Sequence, residues 1–537
     1  DDRSWQGIVR QELQGELPGA PGPGGELQVT LTLPREGGSP GVRLHLDWIE
    51  VGYDRLLKAV GEALEIPAPA APARLLVDGL GEGEVLALDI SDPRRPWRLS
   101  GVALSGGVAG RRAEFASAAG AGRYWLGSPA AFRRPKLIGA LAPSDLWWPE
   151  QGAEHLIISP GAFREGAETL AAHRRSRGMS SRVVDLQEVY DQFGDGLAQP
   201  GAIRAFLAQA LAAWPEPRPR FVLLVGDGSW NLRGSTNYAA DPVFMPPNMV
   251  FADPYQGEVD SANQLAAVVG EDALPDLAIG RAPVASAAEM AAFVAKTIAY
   301  ETAGPRPQHG RHAFISDCVP DAAGDFVGET ERFIRDMLPA GATARRLRAN
   351  DFPGACPPDQ TDAGRSAVTA AIVDELFNRE GGLFVNYVGH GSANRWSRVP
   401  FLTTTDVAGL ANGEILPIVL SWTCLDGYWC FPGLPCLAEE LLVAADKGTV
   451  AGFSPTGLGL ATGHDLLWRG FYRSVFQAGT RQLGPATVDA KLALWAGGNF
   501  LDLVDTYTVF GDPALRLPLA DAPPVTRSPT ATAPTAT

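Results

Sequence analysis

The chain has 537 residues, of which 45% are hydrophobic and 20% are charged. This is enough sequence for several domains and enough apolar surface to exclude a globally disordered protein. The 45 basic and 61 acidic side chains give a net charge of −16, which disfavours binding to nucleic acid or to anionic membranes because like charges repel.

The first 140 residues have the pattern of an all-β domain. Short segments of alternating hydrophobicity are separated by Gly, Pro and Asp turns, and 54–64 is the one stretch with a helical period. This spacing predicts an antiparallel β-sandwich over residues 1–140. Its strands are expected at Leu27–Leu33, Val42–Tyr53, Arg74–Asp78, Val85–Ile90, Arg98–Leu104, Arg111–Ala116 and Arg123–Leu126.

From about residue 150 the pattern changes to apolar runs followed by helical periodicity. Phe221–Val225 is apolar at every position, as expected for a strand buried on both faces of a parallel sheet. The sequence therefore predicts an α/β fold in two subdomains, 150–310 and 311–518, before a Pro/Thr-rich segment at 519–537. Strands are expected at His155–Ser159, Arg182–Asp185, Phe221–Gly226, Leu277–Gly280, His312–Ser316, Arg345–Arg348, Leu383–Val388, Ile418–Trp422, Thr449–Phe453 and Tyr507–Val509. Helices are expected at Gly166–Gly178, Pro200–Trp214, Ser286–Tyr300, Asp325–Leu338, Thr361–Arg379, Ala438–Ala445, Asp465–Ala478 and Ala486–Ala496.

Three predicted strands are followed by residues that can carry chemistry. Asp317 follows the strand at 312–316, His390 lies in the Gly-His-Gly-Ser motif after 383–388, and Cys424 follows 418–422. Because the carboxyl ends of parallel strands meet at one edge of a sheet, we expect the three side chains to lie together.

A cysteine beside a histidine is a nucleophile beside its base. An adjacent imidazole favours the thiolate, which is the reactive form of cysteine. The backbone N–H groups of Gly391 and Cys424 would point at a developing oxyanion. Taken singly, a cysteine after a buried strand is usually an inert core residue, and Gly-His-Gly-Ser is often only a turn. Their joint placement favours a catalytic site.

At these residues the sequence resembles the gingipain-type cysteine peptidases, relatives of caspases and legumain. The resemblance covers roughly residues 155–517 and implies a caspase-like, largely parallel sheet flanked by helices. It is carried by the stretches Leu223–Asp227, Pro275–Arg281, Tyr300-Glu301, Asn386–Ser392 with Trp396, Cys424–Gly427, Pro435–Glu439 and Phe510–Leu515.

The resemblance implies roles for individual residues. His390 matches the catalytic histidine, Cys424 matches the nucleophile, and Asp317 stands where the family has a glutamate that orients the imidazole. Asp325, or Asp321 if the register differs, matches an aspartate that binds a basic side chain before the scissile bond. The alternative for Asp325 is a cap on the helix that follows it.

No cofactor is required for this chemistry. Asp253 and Asp260 stand where such enzymes have a surface loop with calcium nearby, but their spacing lacks a complete EF-hand pattern, so calcium stays unassigned. A metal site of His390, Cys424 and His464 is disfavoured because no HxH or HExxH spacing supports it. For the other four cysteines we expect structural roles: Cys436 packs against or pairs with Cys430, and Cys318 and Cys356 have no base within local sequence reach.

Two functions remain open from the sequence. The first is an exported cysteine endopeptidase that acts on protein or peptide substrates, and the second is a surface-displayed binding or scaffold protein with an inactive peptidase fold. Residues 523–537 form a Pro/Thr/Ala repeat that resembles an extracellular stalk and would attach the chain to a cell surface. We therefore expect a secreted or cell-surface protein, although the first residues contain no signal-peptide core.

Overall fold

The computed structural model divides into two compact units, one within residues 16–140 and the other from residue 141 onwards. It describes residues 12–16, 30, 48–52, 54–81, 83–107, 110–118, 122–136, 143–232, 234 and 242–520.

The first unit is made of two antiparallel sheets. Its strands are β1 Ala63–Pro67, β2 Ala73–Leu80, β3 Leu86–Asp89, β4 Trp97–Arg98, β5 Ala103–Gly107, β6 Gly110–Ser117 and β7 Arg123–Gly127. One sheet has the order β1-β7-β3-β4 and the other β2-β6-β5. Side chains from both sheets, such as Leu126 and Val77, share one buried core. This confirms the predicted β-sandwich.

Some predictions for this unit were wrong or fall outside the described residues. The helical period at 54–64 does not produce a helix; these residues form bends and isolated bridges before β1, because Gly61 and Glu62 adopt positive φ angles. The strand expected at 98–104 is divided by a turn at Gly101. The strand expected at Leu27–Leu33 and most of that at Val42–Tyr53 lie outside the described residues.

The second unit is an α/β structure that follows the predicted elements closely. Its strands are β8 His155–Ser159, β9 Ser181–Asp185, β10 Phe221–Val225, β11 Met249–Asp253, β12 Gly257–Asp260, β13 Ala278–Ala282, β14 Arg311–Ser316, β15 Thr343–Arg348, β16 Phe384–Val388, β17 Gly391–Ser392, β18 Arg395–Trp396, β19 Leu402–Thr403, β20 Ile418–Trp422, β21 Ala451–Pro455 and β22 Tyr507–Phe510. Its helices are α1 Arg164–Ser176, α2 Leu186–Phe193, α3 Pro200–Ala213, α4 Ala262–Ala266, α5 Ala287–Ala303, α6 Phe326–Met337, α7 Asp362–Ala370, α8 Leu437–Val443, α9 Ala461–Arg473, α10 Leu483–Ala496 and α11 Asp502–Thr506.

One ten-stranded sheet runs through this unit in the order β15-β14-β16-β20-β21-β22-β13-β10-β8-β9. Each half of it, β15 to β21 and β22 to β9, is parallel within itself, and the halves meet at the antiparallel pair β21–β22. The central strands, such as Phe221–Val225 and Phe384–Val388, are buried at every position. Both faces of the sheet are covered, as the continuous apolar runs predicted. The caspase-like fold class is confirmed.

A buried ionic network joins the segment after β22 to helices α1 and α5, which belong to the half of the sheet from β22 to β9. The guanidinium of Arg174 in α1 donates to Asp512, after β22, at 2.7 Å and to Glu301 in α5 at 2.6 Å. His155 lies 3.2 Å from Asp512, and His173 contacts Glu301 at 2.7 Å. Although burial alone would raise it, Arg174 and His155 hold the pKa of Asp512 well below its usual range. The stability from this carboxylate is therefore present above its unfolded-state pKa and is lost as the pH falls through the folded-state pKa.

We predict that Arg174→Met lowers the free energy of unfolding by about 3–5 kcal/mol, because it leaves two buried carboxylates without their cation. Urea denaturation at neutral pH measures the loss. Arg164→Met in the same helix is the control, since that side chain is 55% exposed and its ion pair spans 3.6 Å. Equal, small effects of the two substitutions would show that the network does not hold the C-terminal segment.

Candidate active site

The three strands predicted to carry chemistry are adjacent in the sheet. β14 pairs with β16 and β16 with β20, so that Ser316, Val388 and Trp422 stand in register. The loops that follow them surround a cavity of about 280 Å³, which His390 and Cys424 both line. The histidine and the cysteine are thus brought to one site.

Direct contacts hold the histidine loop against the cysteine loop. Thr423 Oγ1 donates to the Gly389 carbonyl at 2.8 Å, and the Trp396 indole N–H donates to Asp426 at 2.9 Å. Gly391 lies so close to the cysteine that a Cβ added there would be 2.6 Å from the carbonyl oxygen of Cys424. Only glycine fits at this point, and the two backbones predicted to form an oxyanion hole are neighbours.

Asp317 binds the backbone of the histidine loop rather than the imidazole. Its carboxylate is 2% exposed and accepts hydrogen bonds from the His390 N–H at 3.0 Å and from the Ser397 hydroxyl at 2.7 Å. It also accepts from the Cys318 N–H at 2.7 Å and the Tyr387 hydroxyl at 3.3 Å. The contact expected from the resemblance, carboxylate to imidazole, is therefore not made by this residue. One reason is that its position directly after β14 places it beside the backbone at the end of β16.

The imidazole contact is made by Asp321, four residues further on. Asp321 Oδ1 lies 3.0 Å from His390 Nε2, and Arg398 approaches its other oxygen at 3.6 Å. Burial by itself raises the pKa of Asp321, but the Ala323 N–H, His390 and Arg398 together bring it below its ordinary value. The residue is a carboxylate facing an imidazole, and the sequence had suggested it only as an alternative for binding substrate.

Cys424 is partly buried, and its surroundings favour the neutral thiol. Burial raises the pKa of Cys424, and the nearby carboxylates Asp253 and Asp426 raise it further. Its Sγ lies 3.6 Å from the Gly459 carbonyl. The next residue, Leu425, has a φ of 63°, an uncommon conformation for a side chain of this size. The strand therefore ends in a strained turn immediately after Cys424.

The cavity beside the pair has an apolar wall and two carboxylates. Trp422, Trp468, Phe326 and Leu460 form much of the wall. The carboxylates are Glu329 of α6, whose pKa is raised mainly by burial, and Asp465 of α9, which binds Arg469 at 2.7 Å. Asp325, the predicted substrate ligand, is not part of the lining; its carboxylate caps α6 by accepting from the Gly328 N–H at 2.9 Å.

The predicted calcium residues have N–H partners. Asp253 accepts from the Tyr255 and Gln256 N–H groups, and Asp260 accepts from Asn248, Arg281 and Trp429. Within the described ranges, no three His, Cys, Asp or Glu residues are arranged to hold a metal ion. Calcium binding remains a prediction without a site.

The other four cysteines are structural, as expected. Cys318 and Cys356 form a disulfide, and Cys430 and Cys436 are free thiols buried in one hydrophobic cluster. Nothing in the local sequence links two cysteines 38 positions apart, since their proximity depends on the loop after β15.

Several site residues were missed by sequence reasoning. Glu329 and Asp465 lie on two helices that meet only in the tertiary structure, so no sequence spacing marks them. Tyr387 and Ser397 form the support of Asp317 through long-range contacts. The positive φ of Ser397, 66°, is equally invisible in a single sequence.

Comparisons with known proteins identify the family of the chain. The model of peptidase family C25 matches residues 149–518. Gingipain R2 of Porphyromonas gingivalis is 23% identical over 395 residues, which make up 68% of this chain and 46% of that protein. Gingipain R1 of the same species is 26% identical over 277 residues, 46% of this chain and 25% of that protein. The chain thus spans less than half the length of these relatives.

The fold has a solved counterpart. The crystal structure of the Arg-specific cysteine proteinase gingipain R matches with a TM-score of 0.53 at 22% identity, over 69% of this chain and 79% of that one. Together with the family match, this confirms the predicted resemblance to gingipain-type enzymes and the predicted class, a cysteine-type peptidase.

We predict that iodoacetamide alkylates Cys424 slowly at pH 7 and faster as the pH rises, with half-maximal rate above the ordinary thiol pKa. A raised pKa means a smaller thiolate fraction at any given pH. Mass spectrometry of peptides from protein quenched at several pH values measures the rate at this position. Rapid alkylation that does not change down to pH 5.5 would instead indicate a stable thiolate in the resting protein.

Proposed function

This chain belongs to peptidase family C25, and we propose that it is an exported cysteine endopeptidase with Cys424 as nucleophile and His390 as general base. The observation that carries the proposal is that both side chains line one cavity while Asp321 contacts the imidazole at Nε2. The substrates are proteins or peptides, whose extended backbone can reach a nucleophile at the edge of a sheet.

The orientation of the imidazole supports this assignment of roles. With Asp321 accepting from Nε2–H, the lone pair is on Nδ1, which is then free to take the thiol proton. Because the pKa of Cys424 is raised, the proton is transferred when the substrate is bound rather than beforehand. The sulfur attacks the peptide carbonyl, and the N–H groups of Gly391 and Cys424 stabilise the oxyanion. The imidazolium then protonates the leaving amine, and water releases the acyl group.

The alternative, an inactive scaffold, has less support. A protein that only displays a binding surface has no need of a nucleophile, a base and a carboxylate in this order. It has equally little need of a glycine fitted against the carbonyl of Cys424.

Export is supported by the disulfide between Cys318 and Cys356, because disulfides persist in oxidising compartments. Among the residues that the structure describes, no helix is long and apolar enough to cross a membrane. The predicted stalk at 519–537 lies almost wholly outside the described residues, and attachment through it stays part of the proposal.

We propose further that the cavity selects a basic side chain before the scissile bond, with Glu329 as its anionic partner. Asp465 already binds Arg469, whereas Glu329 accepts no hydrogen bond from the described residues and has only the electrostatic attraction of Arg332 to lower its pKa. A guanidinium or ammonium group entering the apolar cavity would supply one. The solved relative is named for arginine specificity, which favours the same reading here.

The catalytic roles are tested by substitution and labelling. We predict that Cys424→Ala and His390→Ala abolish peptide hydrolysis, and that Asp321→Asn lowers kcat about 10- to 100-fold because it loosens the base without removing it. A peptidyl acyloxymethyl ketone should label wild-type Cys424 stoichiometrically, as mapped by mass spectrometry. Turnover by Cys424→Ala, or labelling at Cys430 or Cys436, would refute the assignment.

Specificity is tested with a peptide library varied at the position before the scissile bond. We predict that wild type prefers Arg or Lys there and that Glu329→Gln loses at least about tenfold of this preference, since a charge-assisted hydrogen bond contributes roughly 1.5–3 kcal/mol. Asp325→Asn is the matched control, because that carboxylate caps α6 outside the cavity. A wild-type preference for apolar or acidic residues would contradict the pocket assignment while leaving the catalytic pair intact.

A further inference from the structure

The disulfide lies directly beside the site. Cys318 follows Asp317, and Cys356 belongs to the loop between the short 3₁₀ turn Ala349–Asp351 and α7; their Cα atoms are 5.5 Å apart. The bond thus joins the end of strand β14 to a loop that contributes no residue to the cavity lining. Its effect on the site must pass through the segment that begins at Cys318.

That segment is the one that carries Asp321. It runs from Cys318 to Asp325, where α6 begins, and we call it the acid loop. Its first half is held by the disulfide, by the hydrogen bond from the Cys318 N–H to Asp317 at 2.7 Å, and by the amide of Asn350, which accepts from the Val319 N–H at 2.9 Å and donates to the Val319 carbonyl at 2.6 Å. Beyond Val319 the local bond from the Ala323 N–H to Asp321, at 2.8 Å, stabilises the turn itself, and the loop ends at Asp325, whose carboxylate caps α6.

The position of Asp321 therefore depends on anchors that lie two and three residues before it and on the start of α6, four residues after it. Its contact with His390 and the longer approach of Arg398 are the interactions it makes across the cleft. Both partners stand on the histidine loop, so neither fixes the acid loop to the body of the protein independently of the site. Displacing a catalytic group by about 1 Å is enough to reduce a rate on the order of 10²-fold.

We propose that the Cys318–Cys356 disulfide is a positioning element that holds Asp321 against the imidazole, so that reduction of the bond lowers activity while Cys424 remains intact. The proposal rests on the proposed function, since it assigns a support to the same catalytic pair. A dithiol reductant supplies two electrons and two protons, the sulfur–sulfur bond breaks to give two thiols, and the reductant becomes a cyclic disulfide.

Accessibility supports this reading. Cys318 and Cys356 are both partly exposed, whereas Cys430 and Cys436 are 0% exposed. A thiol reductant that reaches the protein surface would therefore meet this bond. The two redox requirements of the proposed site are opposite: Cys424 must be reduced to act, whereas the Cys318–Cys356 bond must be oxidised.

The test is a double-mutant cycle on the full chain. We expect the variant C318S/C356S to bind the acyloxymethyl ketone stoichiometrically at Cys424 but to show about tenfold lower kcat, with KM changed less than about twofold. In the Asp321→Asn background, removing the disulfide should lower kcat less than about twofold further, since the group that it positions is already gone. Loss of equal size in both backgrounds would mean that the bond acts only on overall stability, and it would overturn the proposal.

Reduction of wild type gives the same comparison without substitution. Dithiothreitol is titrated until mass spectrometry shows that the disulfide is open. At that point kcat should fall to the level of C318S/C356S, and reoxidation should restore it. The kcat of C318S/C356S itself should not change with dithiothreitol. Cys430→Ala is the matched control, since it removes a free thiol from a hydrophobic cluster that contains no residue of the acid loop, and it should leave kcat and its response to reductant unchanged.

Two further measurements keep the proposal open to refutation. If C318S/C356S does not fold, Asn350→Ala removes the other anchor of Val319 and should produce a smaller loss of kcat that is likewise absent in the Asp321→Asn background. If the wild type shows no turnover, the proposed function fails, but the ring resonances of His390 in a histidine-labelled NMR spectrum still report the contact. Reduction should then shift them toward those of Asp321→Asn, and unchanged resonances would overturn the proposal.

Discussion

The site depends on the hydrogen bonds that the buried carboxylate of Asp317 accepts. This carboxylate lies at the end of β14, and its donors come from the chain that follows β14 and from the chain around β16. A buried carboxylate is costly unless it is fully hydrogen-bonded, so these donors are held where they are. One of them is the backbone N–H of His390. Asp317 thus fixes the point from which the imidazole projects, and Asp321 fixes the direction of the ring.

The sheet supplies the second constraint. Its two parallel halves meet at β21 and β22, which run in opposite directions, so the carboxyl ends of the half from β22 to β9 lie at the edge opposite to the loops of His390 and Cys424. The half from β22 to β9 carries none of the proposed catalytic side chains. It provides instead the Arg174 network, which holds the chain that follows β22. Because β22 also pairs with β21, the same network supports the strand next to β20 and hence the nucleophile.

The fold was predictable because its signals are local. Runs such as Phe221–Val225 indicate buried strands by themselves, and His390 and Cys424 each follow such a run. The carboxylates were harder, because Asp317, Asp321 and Asp325 all stand within nine residues, and sequence cannot tell which one faces the imidazole. That choice depends on how the acid loop turns after Cys318, which in turn depends on a disulfide partner 38 residues away. The wall of the cavity was not predictable either, because several of its residues lie on helices α6 and α9, which meet only in the tertiary structure.

Backbone strain at the site bears on whether the chain is an enzyme or a scaffold. Leu425 and Ser397, neither of them glycine, have φ angles of 63° and 66°, and each follows a proposed catalytic group within seven residues. Such conformations cost on the order of 1–3 kcal/mol each and persist only where surrounding contacts enforce them. Here the Leu425 N–H is bound by Gly457 and the Ser397 hydroxyl by Asp317. A scaffold would gain nothing from this cost. In a peptidase it presents the thiol and the imidazole at the ends of two adjacent strands, where a single substrate carbonyl can meet both.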